Sequence, residues 1–396
     1  MKKFNAVLNG FGQFLLGAAI AALLLGLGIY IGARSTGLPF HRDTQDMSDT
    51  MALIRSQHVG IPVSDDELYY GAIGGMVNAL REDPYSQFVD PAEARRIDET
   101  MAGTFAGIGV QIVLKNDRPQ VLGLMDDSPA AKAGVTAGDI ITAVNGASTA
   151  GKSLQAITAE TRGLKGTAVV LTIQSVGIDG TRDVSIVRDT IAIKSVTWKI
   201  VSGSNGKRLM RATITNFHGD TGDLFDRAAE EAVNAKVDGF ILDLRDNPGG
   251  YIKAAGAVSC TWISRQPYVL MERKDGKREV EKCTGNPRLA GMPTAVLINR
   301  YSASASEITA GALQDLANAR IIGERSFGKG CGQDITTFSD GAQLRLTAFL
   351  WFTPKGHSID KSGITPDEMV IASPDDIAKD KDTQLESAIT FLSEGR

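Results

Sequence analysis

Histidine is scarce in this chain: 396 residues hold four, and none lies within fifty residues of Ser304. The serine-rich stretch RYSASASEI (300–308) therefore comes without an obvious proton acceptor nearby. His218, in the polar loop NFHGDTG, and His357 are weak candidates for a base. Cysteine is scarcer still. Cys260, Cys283 and Cys331 fit no zinc-binding spacing, so no metal site is expected. Cys260 with Cys283 is the one pair to consider as a disulfide, and then only if the protein is exported; free buried cysteines are the alternative. An excess of positive charge is missing as well. The net charge is −4, which excludes the basic face that nucleic acid requires. Glycine is plentiful at 43 residues, which points to tight turns and close backbone approaches.

Long apolar runs are absent with one exception. Residues 14–33, FLLGAAIAALLLGLGIYIGA, carry no charge. At ~1.5 Å per residue they reach about 30 Å, the hydrocarbon thickness of a bilayer. That exceeds the central region of a cleaved signal peptide. The expectation is an uncleaved single-pass anchor in the inner membrane, with the bulk of the chain exported to the periplasm. Lys2, Lys3 and Arg34 set that orientation only weakly.

The pattern divides the chain into four regions. Residues 1–40 are the anchor and a polar linker, and 41–102 form a helical segment, with Met51, Leu53, Ile54, Leu68, Ile73, Met76, Val77 and Leu80 at helical spacing until DPYSQFVDP breaks the run. In 103–190 short β-type runs dominate. Ser128 is placed to cap a helix beginning at Pro129 and stopped by Gly134, and Asn145-Gly146 signals a tight turn. GIGV (107–110) with SPAAKAGVTAGDIITAVNG resembles a PDZ domain. That resemblance implies that Gly107, Ile108, Gly109 and Val110 receive a peptide carboxylate, beside a helix whose Leu154 and Ile157 offer an apolar pocket. Arg188, on the strand leaving this domain, is either a link across the boundary to the αβ region or an ordinary strand-end arginine. In 191–396 apolar strands alternate with helices (GFILDL, TAVLIN and ARIIGE among the strands). This predicts a mainly parallel sheet covered by helices, a hairpin folded at Asp340-Gly341, and one C-terminal amphipathic helix over 377–396. The fold class is a multi-domain α/β chain, α+β overall.

Three stretches carry chemistry. DLRDNPGG (243–250) ends a strand, and Gly249-Gly250 is either a plain turn or a backbone donor for an oxyanion. In RYSASASEI, Ser304 with Glu307 has capping-box spacing, yet a serine on a strand-to-helix turn is also how hydrolases expose a nucleophile. In RSFGKGCGQD, Lys329 lies between glycines. A solvated lysine, with a pKa of about 10.4, is a poor base, and burial is the usual remedy.

Together with FTPKGHSIDKSGITPDEMV, and preceded by the PDZ-like region, these motifs resemble the C-terminal processing peptidases of serine peptidase family S41, over roughly residues 45–375. The resemblance implies a ClpP/crotonase-like αβ core. It selects Ser304 as nucleophile, Lys329 as its base and Gln333 as the group orienting the lysine amine. Ala305, Gly249 and Gly250 would form the oxyanion hole, Ser302 and Ser306 would pack or cap, and no cofactor is needed. Protein substrates held by their C-termini are the expected partners; an adaptor and a homo-oligomer are left open. Cys331 and Gly332 depart from the family pattern, which puts the packing of the lysine loop in doubt and raises redox sensitivity as a question. Two rivals are an inactive PDZ scaffold and an acyl-CoA enzyme on a similar core.

Overall fold

The computed structural model describes residues 45–395 apart from 126, 176, 286, 374, 375, 377, 378 and 380. The apolar span 14–33 lies outside them. No helix among the described residues is long and apolar enough to cross a membrane. The described residues up to Tyr69 and those from Tyr70 onward form two compact units. In the first, the helix Gln45–Gln57 buries none of its residues.

In the larger unit, strands Gly239–Asp243 and Thr294–Ile298 are buried at every position. A strand buried on both faces belongs at the centre of a parallel sheet. The sheet runs in the order Val196–Ser202, Arg208–Ile214, Gly239–Asp243, Thr294–Ile298, Arg320–Gly323, Glu368–Met369. Only the first pair is antiparallel. Alternate side chains serve two cores. Met210, Phe240, Leu242, Val296 and Ile298 face helices Thr221–Asn234, Ile252–Ser259 and Ala305–Leu316. Leu209, Ile241, Ala295, Leu297 and Ile322 face Ala388 and Leu392 of the C-terminal helix. That helix starts at Thr383, later than its sequence pattern predicts, because the Asp382 side chain caps it by accepting from the Leu385 N–H.

A second, antiparallel sheet holds the predicted hairpin, Cys331–Thr337 with Gln343–Phe352, turned at Asp340-Gly341. Its other strands are Pro267–Arg273, Arg278–Lys282 and Gln87–Val89. The last of these corrects the reading of 41–102 as wholly helical. DPYSQFVDP does more than break a helix, since its centre pairs with Gln343–Arg345 as a strand of this sheet. A disulfide joins Cys260 to Cys283.

The PDZ region is a five-strand path in the order 110–115, 118–124, 140–144, 168–174, 182–187. Ser128 caps its short helix, and Asn145 and Gly146 both have positive φ, as a type I′ turn demands. The chain enters and leaves through a two-stranded ribbon, Thr104–Gly107 paired with Asp189–Ala192. Arg188 stays inside the domain. It is buried, and its guanidinium donates to the carbonyls of Glu160, Thr161 and Ala168 and to the Thr167 hydroxyl. It thereby closes the C-terminal end of the helix Leu154–Thr161, which is the strand-end reading of this residue.

Candidate active site

Three of the four motifs sit on loops that follow adjacent parallel strands. DLRDNPGG leaves Gly239–Asp243, RYSASASEI leaves Thr294–Ile298, and RSFGKG follows Arg320–Gly323. Loops at the carboxyl ends of neighbouring parallel strands converge, which is where open α/β sheets build their sites.

The geometry separates the three serines. Ser302 is buried; it donates to the Leu244 carbonyl and accepts from the Asn299 N–H. Ser306 is buried and donates to the Asn247 carbonyl. Both hydroxyls are committed to holding the turn. Ser304 alone of the three is partly exposed. Its backbone, at φ 54° and ψ −114°, lies outside the basins that a non-glycine residue prefers, a strain on the order of 1–3 kcal/mol. The fold sustains that strain at the start of helix Ala305–Leu316, whose first N–H groups have no intrahelical partner.

Glu307 holds the strained turn in place. Read from sequence as a helix-capping residue, it is fully buried and does more than cap. Its Oε2 accepts from the N–H of Ser304 at 2.8 Å and of Lys329 at 2.9 Å. Its Oε1 accepts from the Ser326 hydroxyl and the Gly328 N–H, both at 2.6 Å. Burial pushes this carboxyl up from its ordinary value, and the four donors oppose the shift without cancelling it. One side chain thus joins the serine turn to the lysine loop. Capping-box spacing was its only trace in the sequence.

The glycines around Lys329 are required by contact. A Cβ on Gly330 would lie 2.5 Å from the Asp360 backbone, and one on Gly328 would lie 3.0 Å from Gly363 N. The lysine loop is clasped by the turn of the fourth motif, FTPKGHSIDKSG. The Lys329 carbonyl accepts from the Trp351 indole N–H. Its partly buried side chain places Nζ 4.8 Å from the centre of the Tyr85 ring.

The double-glycine turn lies against the serine. A Cβ on Gly249 would be 2.8 Å from Ser304 Cβ and 2.9 Å from Ala305 N. Asn247, a buried residue that sequence reasoning did not single out, staples the two turns. Its carbonyl accepts from the Ala303 N–H, and its Oδ1 accepts from the Gly249 N–H at 2.9 Å. The second bond corrects the expected oxyanion hole, because the Gly249 N–H is already engaged. Gly250 bridges Phe217 through its neighbours, with Phe217 N–H donating to Gly249 O and Tyr251 N–H to Phe217 O. In a parallel bridge this leaves Gly250's own N–H on the other side of the strand. Ala305 and Gly250 are the remaining donors of the three. Behind the turn, Arg245 is clamped between Asp243 and Asp382, both contacted twice at 2.7–2.9 Å.

Gln333 also differs from expectation. Its amide donates to the main-chain carbonyl of Tyr85, the residue whose ring faces the lysine amine. Cys331 is buried, and burial pushes its thiol up from the ordinary value, which argues against a reactive, redox-sensing thiolate. Gly332 fits because a Cβ there would lie 2.2 Å from the Phe349 ring. The lysine loop is therefore intact despite both departures from the family pattern.

In the PDZ region, Val110 opens the outer strand Val110–Lys115, which pairs only with Arg118–Leu124 among the described strands. Gly109 needs its glycine, since its φ is 72° and a Cβ there would lie 2.4 Å from Ser128 Cβ. Gly107 ends the ribbon strand, and Leu154 is partly exposed at the helix start. Ile108 and Ile157 are at most 1% exposed. They support the groove from inside and do not line it.

Residues 212–370 match the model of peptidase family S41, and residues 120–175 match that of the PDZ domain. A carboxy-terminal-processing protease of Bartonella bacilliformis is 37% identical over 326 residues, 81% of this chain and 74% of the relative. The carboxyl-terminal-processing protease of a Picosynechococcus species is 34% identical over 86% of this chain and 83% of its own. Among solved structures, the photosystem II D1 C-terminal processing protease superposes with a TM-score of 0.51 at 29% identity, over 89% of this chain and 91% of that one. An S41 protease of Bacteroides fragilis shares the fold, with a TM-score of 0.57 at 17% identity over 91% and 99% of the two chains. Identity of this extent, across more than two thirds of each of these two curated relatives, makes the chain a member of the carboxy-terminal processing proteases of peptidase family S41, serine-type peptidases that carry a PDZ domain.

Proposed function

We propose that the protein is an endopeptidase working through a Ser304–Lys329 dyad on exported proteins that its PDZ domain holds by their C-termini. Ser304 Oγ attacks the peptide carbonyl. Lys329 Nζ takes the hydroxyl proton and returns it to the leaving amine. The N–H groups of Ala305 and Gly250 receive the negative oxygen, the first of them from a helix N-terminus. The core is of the ClpP/crotonase-like kind, with the site on loops beyond the strand ends.

The observation that carries this reading is the shared Glu307 oxygen, which ties the main chain of the strained, partly exposed serine to that of the lysine. The open edge of Val110–Lys115 supports peptide capture by strand addition, with the glycine loop meeting the terminal carboxylate. Tethering through 14–33 with the catalytic part outside the cytoplasm belongs to the same proposal, and the Cys260–Cys283 disulfide supports it, since such bonds persist in oxidising compartments.

Replacing the base tests the dyad. Lys329→Ala should abolish peptide cleavage with the fold intact, and Lys329→Arg should fail equally, because a guanidinium stays protonated. Near-normal turnover in either variant would hand the base role to a histidine.

A further inference from the structure

We propose that Tyr85 is a positioning residue of this site, its ring face holding the Lys329 amine where the serine proton is received, and that Gln333 acts through Tyr85. The inference rests on the dyad reading above. Three observations carry it. Lys329 Nζ stands 4.8 Å from the ring centre, within the range at which a π face attracts a cation. The ring belongs to the short DPYS turn, far from the lysine in sequence. That turn is held rigidly. The Asp83 carboxylate accepts from the N–H groups of Tyr85 and Ser86 at 3.0 and 3.1 Å, from the Ser86 hydroxyl, and from the Thr347 hydroxyl at 3.0 Å. Ser86 Oγ accepts from the Thr347 N–H at 2.9 Å, and Gln333 fastens the Tyr85 carbonyl. The residues after it, Gln87–Val89, pair with Gln343–Arg345. The turn is thereby fixed to the hairpin that begins two residues after Lys329.

The lysine side chain is long and flexible, and the ring gives it one face to lie on. When Lys329 takes the Ser304 proton its amine becomes a cation. The negative face of the ring then stabilises the charge as it forms, without recruiting water. A ring that acts at that moment affects turnover more than substrate binding.

The test compares Tyr85→Phe, Tyr85→Leu, Tyr85→Met and Gln333→Ala with Lys329→Ala on one peptide substrate, reading kcat, KM and the thermal midpoint. Phenylalanine keeps the ring and should stay within about three-fold of wild-type kcat, whereas leucine and methionine should each lose about ten-fold or more with KM nearly unchanged. Gln333→Ala should fall between them. Methionine provides a second ringless variant should leucine lower the thermal midpoint. Wild-type kcat in both ringless variants would overturn the proposal while the dyad stands. A phenylalanine variant as impaired as leucine would also overturn it, since the hydroxyl would then be the active feature. Turnover in Lys329→Ala would overturn the dyad and this proposal together.

Discussion

Ser304 and Lys329, twenty-five residues apart in sequence, donate their main-chain N–H groups to a single atom, Glu307 Oε2, at 2.8 and 2.9 Å. The distance between serine turn and lysine loop is thus set by a side chain that need not touch substrate. Glu307→Gln replaces one oxygen by an NH2 group that faces two donors. Each orphaned donor should cost on the order of 1–3 kcal/mol. Misplacing the serine against the lysine should lower kcat by about a hundred-fold. Wild-type kcat in the Glu307→Gln variant would show that the shared oxygen is incidental.

Acidification should act through the same carboxyl. Burial raises its folded-state value above the 4.5 of a free glutamate, so the folded enzyme binds this proton at a higher pH than the unfolded chain does. Glu307 therefore contributes stability below 4.5 and loses that contribution as pH rises through the folded value. Falling pH does not unfold the protein through this group. It does inactivate it, because a neutral acid cannot accept from all four donors. Activity should fall at a pH above 4.5 while the thermal midpoint holds, and a parallel loss of both would contradict this assignment.

Gly249 and Gly250 should differ in how they fail. Gly250→Ala places a Cβ 2.1 Å from the Phe217 carbonyl oxygen, a backbone atom that cannot swing away. It should destabilise by about 1–3 kcal/mol, read as a lower denaturant midpoint. Gly249→Ala presses on the serine turn itself, on the Ala303 carbonyl oxygen, Ser304 Cβ and Ala305 N at 2.7, 2.8 and 2.9 Å. It should lower kcat out of proportion to its effect on stability. Equal effects of the two on both readouts would show that the close approach of Gly249 to the serine does not matter.

Much of the core was legible. The largely apolar runs GFILDL and TAVLIN specify central parallel strands, and Asp340-Gly341 specifies its hairpin. The positions of Ser304, Lys329 and Gly250 came from motif resemblance. The features that were not legible depend on partners distant in sequence. Nothing in DPYS says that Tyr85 will meet a lysine 244 positions later. Glu307 looks like a local cap because its first bond is local, whereas its other three reach the lysine loop. Asn247 and the engaged Gly249 N–H, like the burial of Ile108 and Ile157, are consequences of packing, and periodicity does not record them.

The clamp on Arg245 gives a stability prediction. Burial disfavours the Asp382 carboxylate, but its bonds from Arg245 and the Leu385 N–H outweigh this and hold its value below the 3.8 of a free aspartate. A depressed carboxyl contributes stability above 3.8 and loses it as pH falls through the folded value. Asp382→Asn keeps Oδ1 to cap the helix, removes the charge and turns an NH2 toward Arg245 Nη2 in place of Oδ2. It should cost about 1 kcal/mol at neutral pH, allowing for partial exposure, and less as pH falls below 3.8. A cost independent of pH would show that the ion pair is idle.

Peptide capture can be measured on the uncut complex, using the Ser304→Ala protein. A peptide ending in a free, apolar residue should bind more tightly than its amidated counterpart by roughly 1–3 kcal/mol, the value of charge-assisted hydrogen bonds to the terminal carboxylate. Equal affinities would remove the carboxylate role of Gly107–Val110.

The nucleophile assignment is tested most directly by labelling the protein with a fluorophosphonate and mapping the modified residue. The adduct is predicted on Ser304 alone, lost together with peptide cleavage in Ser304→Ala and retained in Ser302→Ala and Ser306→Ala variants that still fold. An adduct on either buried serine, or cleavage surviving in Ser304→Ala, would contradict it.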